Sequence, residues 1–280
     1  MEKKQINVAL CGAGGKMGMR VMRNLRKHDT YHVFALETFE KAIERVRSVG
    51  MEVSGQEVLP QCQLVILAVP DVALEKVSDE IVPQLTPGSI VIILDPAAAY
   101  MKRVCLREDC TFVVVHPCHP ALFVDYKSGE NGKDFFGGDA TEQDIVLAKI
   151  CGDDDHVALA HEIAVEMFAP VITCHHITVE QMALLEPAAA EVVIATCACV
   201  MKEAIDEAIA HGVPEAAARA FLMGHIQIPL AILFQQSNPF SDAAQIAINY
   251  GREKVFKENW RDVFSPEAVH EVLQKMLHLC

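Results

Sequence analysis

Basic residues are scarce in this chain: 24 Lys and Arg stand against 38 Asp and Glu, a formal charge of −14. So acidic a protein lacks the basic face that phosphate contacts require, which excludes a general nucleic-acid binder. An anionic small molecule would need a local positive element, such as a helix N-terminus, a bound metal or a few placed basic residues. The ten cysteines include no Cys-x-x-Cys pair, and Cys11, Cys197 and Cys199 sit inside apolar runs. Scattered in this way they read as reduced thiols of a cytoplasmic protein, not as a disulfide framework. Internal repeats and low-complexity tracts are missing too. Met182–Met201 has the length of a membrane span, but Glu186, Pro187 and Glu191 interrupt it, so no membrane span is expected. The apolar run of MEKKQINVAL is short and passes directly into glycines; it reads as a first strand and not as a signal peptide.

What is present is 280 residues with 51% apolar content, room for two domains with a sizeable core. Short apolar runs alternate with amphipathic stretches over the first half. Strands are expected at Ile6–Cys11, His32–Leu36, Gln63–Val69, Ser89–Leu94 and Thr111–Val115, with helices at Met17–Lys27, Phe39–Val49 and Val72–Gln84. This is the pattern of a doubly wound parallel sheet of the Rossmann type. A polar, glycine-rich loop (125–138), a strand at Ile145–Cys151, a helix opened by Asp153–Asp155 and a short strand near Val171–Thr173 follow. From residue 177 the pattern is helical: Thr178–His211 as one long apolar helix, then Pro214–Gly224, Ile226–Gln236, Ala243–Lys257 and Pro266–Leu279. The expected class is therefore α/β, with a dinucleotide-binding domain at 1–176 and an all-α substrate and dimerisation domain at 177–280. A helix apolar nearly all round must be covered, and a homodimer through the helical domain would cover it.

The first strand leads into Cys11-Gly12-Ala13-Gly14-Gly15-Lys16-Met17-Gly18. Gly12 would permit the tight turn, Gly14 the approach of a pyrophosphate, and Gly18 close packing of helix on sheet. The helix N-terminus at Gly15, Lys16 and Met17 offers N–H groups to the phosphates. Glu37, at the end of the second strand, would accept from ribose hydroxyls and repel a 2′-phosphate, favouring NAD over NADP. Val69, Pro70 and Asp71 close another strand end and would line the nicotinamide path.

The chemical residues are expected at two places. His116-Pro117-Cys118-His119-Pro120 follows a strand end, where proline would fix the imidazoles as bases or metal ligands. Leu184-Leu185-Glu186-Pro187-Ala188-Ala189-Ala190-Glu191 puts two carboxylates in an apolar helix; buried, each needs a proton, a partner or a cation. His116 and Glu186 are candidate ligands of a divalent ion that polarises an anionic substrate, with His119 in reserve for proton transfer. His175 and His176 read as a cap between strand and helix, His225 as a satisfied core histidine, and Arg252 and Lys254 as a solvated face.

The glycine turn, the His116-Pro117 turn and the long helix resemble the 6-phosphogluconate and 3-hydroxyacid dehydrogenase superfamily over nearly the whole chain. The His-Pro turn resembles that of prephenate dehydrogenases, and ketol-acid reductoisomerases are relatives with metal-binding carboxylates on the helical domain. Hydroxyacid dehydrogenases carry a catalytic Lys where the long helix begins; here Gln181–Glu186 has none, which puts a Lys-based mechanism in doubt. HPCHP, FFGGD and LLEPAAAE together look most like the D-apionate oxidoisomerase group. That resemblance implies NAD-dependent oxidation of a branched sugar acid with rearrangement of its carbon skeleton. Two alternatives stay open: plain hydroxyacid or prephenate-type dehydrogenation, and a non-catalytic NAD(H)-sensing protein.

Overall fold

The computed structural model describes residues 5–130, 132–235 and 238–279. Its first half is built as alternating strands and helices: β1 (Ile6–Cys11), α1 (Lys16–Leu25), β2 (Tyr31–Leu36), α2 (Glu40–Ser48), β3 (Leu64–Leu67), α3 (Asp71–Ile81), β4 (Ile90–Ile93), α4 (Ala97–Tyr100) and β5 (Thr111–His119). A two-residue-per-strand hairpin, β6 (Ser128–Gly129) with β7 (Gly132–Lys133), lies in the polar loop, followed by β8 (Gln143–Cys151), α5 (Asp154–Met167), β9 (Val171–Ile177) and α6 (Val179–Ala183).

Among the described residues the main sheet has seven strands in the order β2-β1-β3-β4-β5-β8-β9. The five from β2 to β5 are parallel, whereas β8 runs antiparallel to β5. Burial follows the two-residue period of a strand. Val8, Leu10, Leu64, Ile66, Ile90 and Ile92 face one core, with Val21 and Leu25 of α1 and Ile163 and Met167 of α5. Ala9, Cys11, Val65, Leu67, Val91 and Ile93 face another, with Leu74 and Ile81 of α3. Strands β1, β3 and β4 are therefore apolar on both sides, which is why each reads as a continuous run.

The chain divides into two compact units. The first continues to Ala183 and takes back the chain from Leu273; the second is Leu184–Val272. The sequence division at residue 177 differs because Val179 and Met182 pack on Val114 and Ala148 of the sheet. The second unit holds Leu184–Ala195, wound with π turns, then α7 (Thr196–Ala210), α8 (Glu215–Gln235) and α9 (Asp242–Val255); α10 (Pro266–Met276) closes the chain. The expected long helix is thus not uniform. Pro187 cannot donate to the carbonyl four residues back and its ring would strike it, and the wider winding here accommodates that. A single α8 replaces the two helices expected either side of Gly224, a position where an added Cβ meets nothing within 4 Å; glycine there costs propensity only, about 1 kcal/mol. The expected end at Gln236 lies outside the described residues. The His175-His176 pair does not cap a junction: both are strand residues of β9. The nine described cysteines are free thiols.

Val179–Ala210 and Glu215–Gln235 are long and apolar enough to cross a membrane by composition. In the single chain their apolar side chains are largely uncovered: Ile194, Phe221, Leu233 and Phe234 are all at least 63% exposed.

Buried Asn24 of α1 ties the loop to the end of α5. Its amide nitrogen lies 3.1 Å from the carbonyls of Gly138 and Met167 and 3.2 Å from that of Ala169. Asn24→Ala would strand these acceptors and should destabilise the fold by about 1–3 kcal/mol, measured by urea unfolding; an unchanged midpoint would show the network to be dispensable.

Candidate active site

The glycine turn is set by clashes that only hydrogen avoids. Gly12 has φ +76°, and a Cβ there would lie 2.3 Å from the Ala68 carbonyl oxygen on the β3 side. A Cβ on Gly18 would lie 2.2 Å from the Gly12 oxygen, so Gly18 brings α1 against the turn as the sequence suggested. Gly14 has another constraint than the expected one: its missing side chain makes room for Ala42 of α2, 2.3 Å from an added Cβ, not for the cleft. It is Gly15, Lys16 and Met17 that line the cleft. Among the described residues no side chain caps α1, and its first turn carries no acid. Its N–H groups and positive end are thereby left for an anion.

Glu37 sits at this turn. One carboxylate oxygen accepts from the Gly14 N–H at 3.0 Å, and the other from Thr38 and Phe39 at 2.8 and 3.2 Å. Ala13 is fully buried behind the turn. Arg45 donates to the Gly14 carbonyl at 2.7 Å from the opposite side.

The cleft beyond encloses about 1360 Å³ and is lined by Ala68, Val69, Pro70 and Asp71 after β3, Leu94 and Asp95 after β4, and His116, Pro117 and His119 on β5. These are carboxyl ends of parallel strands, the place where ligands bind in such sheets. The histidines do not follow the strand, as expected, but belong to it: β5 extends to His119, with a register shift between Pro117 and His119 against β8. A bulge re-aims the side chains, and His119 takes a left-handed φ of 61°, a strained conformation for a non-glycine residue.

Nδ1 of His116 lies 2.8 Å from the Leu94 carbonyl, and Nδ1 of His119 2.7 Å from that of Phe136. A carbonyl only accepts, so each Nδ1 carries the proton; in the neutral rings Nε2 keeps its lone pair. The rings are 6.3 Å apart and nearly perpendicular. Burial, with help from the nearby charges of His116 and Arg20, holds His119 below the ordinary histidine pKa, although its bond to Phe136 works the other way.

Two features of the cleft were not drawn from the sequence. Lys16, Arg20 and Arg23 of α1, with Lys27 just beyond its end, form a basic stripe in which Arg23 is paired with Glu130, and Lys133, Asp134, Phe135 and Phe136 bring the polar loop onto the lining. The spacing i, i+4, i+7, i+11 and the paired phenylalanines in a polar stretch were the available signals. The Arg20 guanidinium lies 5.2 Å from the Phe136 ring centre. Asp134 anchors the loop: burial raises its pKa, but the N–H groups of Ala140, Thr141 and Asp139 outweigh this and keep the carboxyl below its usual range.

Comparison with known proteins now bears on the site. Residues 1–144 match the model of the acetohydroxy acid isomeroreductase NADPH-binding domain, and residues 125–277 that of the phosphogluconate dehydrogenase (decarboxylating) C-terminal family. A D-apionate oxidoisomerase of Pectobacterium atrosepticum is 44% identical over 97% of this chain and 96% of its own. One from Blautia hydrogenotrophica is 42% identical over 98% and 97%.

The chain belongs to the D-apionate oxidoisomerase family.

Among solved structures, a semialdehyde dehydrogenase NAD-binding protein from Cupriavidus necator, in complex with calcium and NAD, superposes with a TM-score of 0.92 at 40% identity, covering 97% of this chain and 99% of its own. The seven-stranded sheet and the family agree on a Rossmann-type α/β fold with a helical C-terminal region.

The other candidates belong to the second unit. Glu186 is half-buried on the π-wound segment of the second unit, and Glu191 on the same segment is exposed. His225 is exposed, not core, and its ring bonds the Phe221 carbonyl at 2.8 Å. Arg252 and Lys254 lie on an exposed face of α9, with Lys254 beside the Tyr250 ring.

The lowered pKa of His119 fixes a sign. The unfolded chain takes up this proton near the ordinary histidine value of 6.5 and the folded chain only at lower pH, so the stabilisation is complete above that range and is lost as pH falls through it. Wild type should therefore lose stability relative to His119→Gln as pH falls from 7 to 5, read by thermal unfolding; parallel curves would contradict the lowered pKa of His119.

Proposed function

We propose that this chain is an NAD-dependent oxidoreductase that oxidises a branched sugar acid, D-apionate, with rearrangement of its skeleton. The observation that carries the reading is the pairing, in one cleft, of an uncapped helix N-terminus with two Nδ1-protonated histidines at the end of β5. The near full-length identity to proteins named D-apionate oxidoisomerase supports the substrate.

The residues fit the cofactor. The N–H groups of Lys16 and Met17 would hold a pyrophosphate, that of Gly15 being taken by the Gly12 carbonyl at 3.0 Å, and Lys16 adds a charge beside it. Gly12, Ala13, Gly14 and Gly18 shape the turn, Glu37 would take the adenosine ribose, and Val69, Pro70 and Asp71 would border the nicotinamide. The carboxylate of Glu37 disfavours a 2′-phosphate, which is why NAD is preferred here although one matching domain model is described as NADPH-binding. Bound NAD supplies the hydride acceptor for oxidation of a carbinol carbon.

The chain's own residues do the rest. Nε2 of His116 takes the hydroxyl proton as the carbonyl forms, its ring held by Leu94. His119, kept neutral, moves a second proton. The basic stripe of α1 draws the substrate anion into an otherwise acidic protein. A divalent ion is the alternative use of the same lone pair: a neutral imidazole whose Nδ1–H is tied to a carbonyl is a suitable ligand, and with an ion on Nε2 of His116 the hydroxyl proton would go to His119 instead.

The reading is tested by following NADH formation from D-apionate, with and without added divalent metal, and by NMR of the product. A rearranged keto acid is expected, with kcat falling about 10²–10⁴-fold in His116→Gln. An unrearranged product would replace the reading with plain dehydrogenation, and no turnover would remove it.

The helical unit is proposed to pair with a second copy in a soluble cytoplasmic homodimer. The exposed apolar residues of α7 and α8 support this, since patches of that kind mark interfaces; the free thiols suit a reducing compartment. Light scattering on the purified protein should give twice the 30.8 kDa chain mass, and a monomer would refute it.

A further inference from the structure

A second cluster of donor atoms lies away from the cleft, where α5 crosses the edge strand β9. Cys174 and His176 are two residues apart on β9 and so share one face. His161 of α5 reaches toward that face. One donor atom from each of His161, Cys174 and His176 lies within 4.8 Å of the others. Nδ1 of His161 and Nε2 of His176 are 2.8 Å apart, and the two rings stack with centres 5.1 Å apart. His175, between the ligand candidates, points elsewhere and bonds Asp144 at 2.8 Å. None of the three residues lines the cleft.

We propose that His161, Cys174 and His176 bind zinc, or a divalent ion of similar softness, as a staple between α5 and the sheet edge. Two imidazoles and a thiolate make a donor set of nitrogen and sulfur, which selects zinc and its neighbours over calcium or magnesium, ions that require oxygen. Water would complete four-coordination. Zinc–nitrogen bonds of about 2.0–2.1 Å separate two tetrahedral nitrogens by about 3.3 Å, so the imidazoles need part only slightly from their present contact. A cation would take the thiolate and both lone pairs, releasing the thiol proton to solvent.

The test uses the full chain, stripped of metal with a chelator and titrated with Co²⁺. One equivalent per chain should produce a thiolate-to-cobalt charge-transfer band and the visible absorption of a tetrahedral ion. Zinc should displace the cobalt and raise Tm. Cys174→Ser should abolish the charge-transfer band, His161→Gln should weaken binding by at least about 10–100-fold, and His175→Gln should leave both unchanged, with folding of each variant confirmed by circular dichroism. Absence of the band in wild type, or its persistence in Cys174→Ser, would overturn the site. Because the readout is spectroscopic, the outcome does not depend on the reaction catalysed in the cleft.

Discussion

The close approach of α1 to the ends of β1 and β3 is the constraint on which the cleft depends. Three glycines leave no room for a β-carbon: Gly12 against the Ala68 carbonyl, Gly14 against Ala42, and Gly18 against Gly12. That packing aims an uncapped helix terminus at the mouth of the sheet, and Glu37 fixes the turn by accepting from Gly14. The result is a small positive site in a strongly acidic chain, made from backbone dipoles and the basic stripe along α1 in place of net charge.

The chemistry depends in the same way on backbone carbonyls. Leu94 and Phe136 each fix one imidazole by its Nδ1 proton. Proline and a shifted register turn the end of β5 from a regular strand into a holder for two rings. The polar loop is integral to this: Phe136 gives the carbonyl that orients His119, Asp134 gathers three N–H groups that shape the loop, and Asn24 of α1 ties its end to the end of α5. The geometry proposed for catalysis and the stability of the fold thus share the same hydrogen bonds.

Much of the fold was legible in the sequence because a strand buried on both faces must be apolar throughout. Ile6–Cys11 was placed to the residue, and the glycine turn followed from it. The antiparallel course of β8 was not legible, since direction leaves no mark on an apolar run. The π winding after Ala183 was hidden for a related reason: Pro187 signals a disturbance of the helix without saying which kind. The role assigned to Gly14 was displaced because a glycine's missing side chain does not say which neighbour needs the space. His116 and His119 were identified by their prolines, but their extension of β5 depended on pairing with β8, a partner about 30 residues away.

The most direct test of the account is a crystal structure of the protein with NAD. It should show the pyrophosphate on the N–H groups of Lys16 and Met17, the adenosine ribose at Glu37, and the nicotinamide ring beside Nε2 of His116. A dinucleotide bound elsewhere, or a His116 ring turned away from the nicotinamide, would contradict it.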